Sequence, residues 1–142
     1  MKSTFLRSTL AAIVCTGALA TPSMAAMINL KADMKASSEV PATESRGTGS
    51  LTATYDEASK KLTWKGTYKD LSGPATAAHF HGPAEAGKNA GVAVPITPNA
   101  SPFEGSATLT DAQAADLIAG KMYVNVHTDA NKGGEIRGQV TK

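Results

Sequence analysis

The sequence predicts an all-β protein, an antiparallel, Greek-key-like β-sandwich or barrel of about seven or eight strands with one short helix. From residue 26 onward, short runs rich in Thr, Val, Tyr and Ala are punctuated by clusters of Gly, Pro, Asn and Asp, the pattern of consecutive antiparallel strands and their turns. Within several runs apolar and polar residues alternate, so a strand has one face for the core and one for water. Only residues 110–120 have helical character, and neither an internal repeat nor a low-complexity linker divides the chain.

The first element stands apart from that domain. Residues 1–25 open with Lys2 and Arg7, continue through an apolar middle from Leu10 to Ala20, and close with Ser23 and Ala25, small residues at the positions a signal peptidase reads. This predicts an export leader cleaved after Ala25 and a periplasmic or secreted domain over residues 26–142. The apolar run is too short and too lightly flanked to span a bilayer stably, so no membrane insertion is expected. Cys15 follows Ile13 and Val14 inside the leader, a context that does not suit a lipoprotein.

Strands are predicted near 28–34, 48–55, 61–68, 76–81, 92–96, 103–109, 122–128 and 134–141. In the third, Leu62, Trp64 and Tyr68 share one face while Lys61, Thr63, Lys65 and Thr67 share the other. The helix starts from Thr110 or Asp111 as N-cap, runs through an Ala-rich stretch and stops at Gly120. In the final hairpin, closure of the turn between Thr128 and Gly134 pairs Val126 with Ile136 and Val124 with Gly138. Tyr123, Asn125, His127, Glu135, Arg137 and Gln139 then share the opposite face, which is expected to meet solvent.

Composition narrows the function. The 14 Lys and Arg against 12 Asp and Glu become balanced once the leader, with two cations and no acid, is removed. Nucleic acid and anionic lipid are therefore not expected partners. The only Cys lies in the leader, so no disulfide is expected and the core must hold by burial. No G-x-S-x-G elbow and no H-E-x-x-H helix occurs, which excludes the common hydrolase constellations.

The three histidines are the most informative residues. His79 and His81 flank Phe80 on a strand, so both imidazoles leave one face while Phe80 enters the core. Their Cβ atoms stand roughly 6 to 7 Å apart, a span that two imidazoles close around one ion. His127 also falls on the polar face of its strand, so the histidines make a three-nitrogen site if the two strands are neighbours. Three neutral imidazoles without thiolate suit copper, with zinc as the alternative. The structural alternative for His127 is a hydrogen bond that orders its hairpin. Glu135, across from His127, is a candidate to orient that imidazole, and Arg137 is a candidate to hold or steer an anion beside the metal. Glu39 is placed at the start of the sheet, Met27 and Met34 serve as core filler or soft copper ligands, and the Gly-rich loop 82–91 is a flexible cover over the H-x-H edge.

The runs EVPAT (39–43), GTGSLTATYD (47–56), LSGPATAAHFHGPA (71–84) and YVNVHTDANKGGEIRGQV (123–140) resemble the CHRD domain, named for chordin and common in exported bacterial proteins. The resemblance covers essentially all of residues 26–142, with one departure, Ala42 where many members carry a second proline. It implies a binding module, with an extracytoplasmic protein among its expected partners. The H-F-H strand, the later His and the late Arg are also similar in layout to the copper site of Cu/Zn superoxide dismutases. A fourth copper histidine, a zinc site and the disulfide are lacking. The leading expectation is an exported copper-binding protein with ligands His79, His81 and His127. The alternatives are a copper-dependent, dismutase-like redox enzyme and a metal-free module that recognises protein or polysaccharide.

Overall fold

The computed structural model describes residues 25–142; the expected leader lies outside the described residues but for Ala25. Eight strands follow in order: β1 (Met27–Lys35), β2 (Thr48–Asp56), β3 (Lys61–Lys69), β4 (Ala75–His81), β5 (Val92–Pro95), β6 (Phe103–Thr108), β7 (Tyr123–Thr128) and β8 (Ile136–Gln139). One helix, α1 (Asp111–Ile118), connects β6 to β7. Thr110 caps it in a capping box with Gln113, and Gly120 takes the positive φ of +72° that ends it. No helix among the described residues is long and apolar enough to cross a membrane.

All eight strands form one antiparallel sheet in the order β5-β4-β7-β8-β1-β2-β3-β6, curled into a nearly closed barrel. The meander β1-β2-β3 is flanked by β8 beside β1 and β6 beside β3. Curling is visible in the core, where Trp64 of β3 meets Phe80 of β4 edge to face with ring centroids 5.1 Å apart. The seam between β5 and β6 is bridged by α1, whose Gln113 side chain donates to the Ala93 carbonyl of β5 at 2.9 Å. Leu30, Leu51, Leu62, Phe80, Val124, Val126 and Ile136 fill the interior, as the alternation requires.

The hairpin register agrees with the turn: Val126 pairs with Ile136 and Val124 with Gly138. The expectation that the other face of β7 and β8 meets water is corrected. Tyr123, Asn125, Glu135 and Arg137 are all at most 3 % exposed, because two segments fold over them. Residues 36–47, between β1 and β2, and the loop 82–91 lie on this face, tied together by Asn89 Nδ2 donating to the Val40 carbonyl at 2.8 Å. Glu135 and Arg137 are tolerated there because each is hydrogen-bonded, whereas His81 Nε2, Asn125 Oδ1 and Gln139 Oε1 find no partner.

Candidate metal centre

Phe80, buried and packed on Trp64, sets the phase of β4 and so turns His79 and His81 to the covered face. Strand β7 runs alongside, with His81 opposite Tyr123, His79 opposite Asn125 and Ala77 opposite His127. The small Ala77 leaves room for the His127 ring to lean toward His79. His79 Nδ1 and His127 Nε2 lie 3.1 Å apart, and one nitrogen from each histidine falls within 4.8 Å of the others. Bonds of about 2.0 to 2.1 Å place two ligands of one ion at most about 4.2 Å apart. The His79–His127 pair already meets that limit, and His81 lies within 4.8 Å of both.

Proton bookkeeping points the same way. His81 donates Nδ1–H to the Ala90 carbonyl at 3.0 Å, and His127 donates Nδ1–H to the Lys132 carbonyl at 2.9 Å. Each bond fixes a tautomer whose Nε2 carries a lone pair, the arrangement that metal-ligating histidines adopt. His81 Nε2 is buried and finds no partner in the protein. Burial, helped by the neighbouring His127 and His81, lowers the pKa of His79. Burial also lowers that of His81, with the Ala90 carbonyl and the adjacent Asn125 side chain opposing and His127 and Arg137 contributing. Both shifts favour the neutral, ligating form.

The surrounding residues hold this geometry. His81 stacks on Tyr123 at 4.8 Å with the rings 1° from parallel, and the Arg137 guanidinium carbon sits 3.4 Å from the Tyr123 ring centroid. Arg137, 1 % exposed, donates to Asn89 Oδ1 at 3.0 Å and to the Lys88 carbonyl at 2.6 Å, pinning the loop over the site. The glycine-rich loop is thus a cover, as expected from its sequence.

Glu135 lies elsewhere than expected: its carboxylate accepts from Ser45 Oγ at 2.5 Å, from Ser72 N at 2.7 Å and Oγ at 2.6 Å, and from Thr128 Oγ1. The acceptor that orients His127 is the Lys132 carbonyl, because Gly134, at φ +129°, redirects the chain before Glu135. The hairpin-ordering alternative for His127 and the ligand reading are therefore compatible: Nδ1 serves the loop and Nε2 the cluster. Met34 is buried in the core, whereas Met27 is 62 % exposed.

Two residues escaped the sequence reading of the site. Asn125 donates Nδ2–H to Glu39 Oε1 at 3.2 Å, across 86 residues. Glu39 is 6 % exposed; burial raises its pKa, against the opposing Asn125 bond and Arg137 charge. A Cβ at Gly134 would collide with the Glu39 carboxylate and come within 2.6 Å of Asn125 Nδ2. Gly134→Ala is therefore expected to dislodge Glu39 and cost about 2–3 kcal/mol by denaturant titration.

A surface groove of about 810 Å³ lies away from the histidines, between Ser50, Thr52, Lys65 and Pro102. The family model for the CHRD domain matches residues 30–140. No curated protein and no solved structure matches the chain significantly.

Proposed function

The chain belongs to the CHRD domain family, and from its histidine cluster we propose that it is an exported metal-binding protein holding one copper ion, with zinc as the alternative cargo. The supporting observation is the pair of imidazoles whose Nδ1–H groups are tied to Ala90 and Lys132 while their Nε2 atoms are left to accept. His79, His81 and His127 are the ligands. Copper is favoured because the clustered donors are neutral nitrogens, without the carboxylate cage that hard ions prefer. The leader-like residues 1–25 support delivery to the periplasm or the exterior.

Binding is favoured over dismutase-like catalysis by the position of Arg137. Its guanidinium is buried and committed to Asn89 and Lys88, where it braces the loop rather than meeting an incoming anion. Glu135 in turn braces the base of the hairpin that carries His127.

Calorimetric titration of the exported protein with copper and with zinc tests this reading. Saturable uptake of one equivalent is expected, lost in the His79→Ala/His81→Ala variant. Absence of micromolar binding to the wild type rejects it, and partner binding unaffected by chelators would favour the metal-free interaction module.

A further inference from the structure

The polar interior beside the histidines contains a second buried acceptor without a donor. Asn125 is 2 % exposed, and its Oδ1, like His81 Nε2, finds no hydrogen-bond partner in the protein. Buried polar atoms are satisfied in the great majority of cases; a third orphaned acceptor of this face, Gln139 Oε1, belongs to an amide held against the Ala84 and Gly120 carbonyls, whereas these two sit beside the other histidines. Both are acceptors, and a cation satisfies both at once. Asn125 stands directly across from His79 and two residues before His127, so its side chain leaves β7 on the same face as the imidazoles. The other half of its amide is already committed, since Nδ2–H reaches Glu39 Oε1 at 3.2 Å.

We propose that Asn125 Oδ1 is a fourth donor to the ion held by His79, His81 and His127, and that Glu39 is the positioning residue that turns the amide oxygen toward them. This rests on the metal-binding reading above and extends it to a donor set of three nitrogens and one oxygen. An amide oxygen is a hard donor. Its addition shifts preference from monovalent copper, which favours soft ligands, toward divalent copper and zinc. Glu39 acts through Asn125: it accepts from Nδ2, so the reversed amide would set Oδ1 against a carboxylate unless Glu39 carried a proton.

Cobalt(II), whose visible spectrum reports its donor set, and zinc are the probes, applied to the whole chain with wild type, Asn125→Leu, Asn125→Asp and Glu39→Gln compared. Asn125→Leu is expected to weaken both ions by about 10- to 100-fold and to change the cobalt spectrum. Asn125→Asp, which puts a charged oxygen in place of the amide oxygen, should bind both ions more tightly than wild type and change the cobalt spectrum, and Glu39→Gln should weaken binding by about tenfold. An Asn125→Leu protein that binds as tightly as wild type with the same spectrum overturns the assignment, as expected if the amide nitrogen simply caps His81 Nε2. Should that variant fail to fold, an Asn125→Asp protein with unchanged affinity and spectrum overturns it equally. Wild type that binds cobalt, zinc and copper not at all defeats the metal reading itself; wild type that binds while the variants behave alike defeats only the fourth donor.

Discussion

Replacing both His79 and His81 with alanine is expected to lower copper and zinc affinity by more than about a hundredfold, because His127 alone retains one of the three clustered nitrogens. The fold should survive. Removing His81 eliminates a buried nitrogen that has no partner, and the Ala90 carbonyl it leaves behind still accepts from Tyr123 OH at 3.3 Å. The same result is readable without calorimetry. A metal that binds only the native state stabilises it by about 2.7 kcal/mol at a hundredfold excess over Kd. In a domain of this size that raises Tm by roughly 10 °C. Wild type should show the rise with zinc, and the double variant should melt at one temperature with and without it. A parallel rise in the variant would place the metal elsewhere.

Glu135→Ala is expected to be the most destabilising change in the polar interior, at about 3–5 kcal/mol, or a fall in Tm of roughly 10–20 °C. Glu135 is fully buried, and neither ion pair among the described residues includes it; hydroxyls and an amide compensate its charge instead. Those donors come from Ser45, Ser72 and Thr128, so one carboxylate ties the β1–β2 connection, the turn before β4 and the end of β7. Truncation strands several donors at once, whereas Glu135→Gln keeps the shape and should cost about 1–2 kcal/mol. Because no cation is paired with it, the loss should change little with added salt.

The same carboxylate gives stability a pH dependence. Burial would raise its pKa, but the bonds from Ser45, Ser72 and Thr128 prevail and hold it at about 2, below the ordinary 4.5. Its contribution is complete above pH 4.5 and drains as pH falls toward 2, since the unfolded chain takes up the proton first. The lowered pKa values of His79 and His81 act in the same direction from about pH 6.5 downward. Glu39 opposes: its raised pKa gives a contribution present below the unfolded value and lost as pH rises through the folded one. Denaturant titrations across this range should show stability falling with acid, and Glu135→Gln should flatten the fall between pH 4.5 and 2.

Alternation and turn chemistry were sufficient to place all eight strands and the helix and to set the β7–β8 register. Strand periodicity is local, and so is the capping signal at Thr110. The same periodicity put His79, His81 and His127 on polar faces, and the adjacency of β4 and β7 brought them together. Of what covers that face, the loop 82–91 was legible and residues 36–47 were not. Glu39 reaches Asn125 across 86 residues and Ser45 reaches Glu135 across 90, contacts with no periodic trace in the chain. Period-two patterning states which residues share a face of a strand. Whether that face meets water or a folded-over segment depends on where distant chain lies, and only the tertiary structure decides it. Here it turned an expected solvent face into a sheltered polar interior, in which burial favours the neutral forms of His79 and His81.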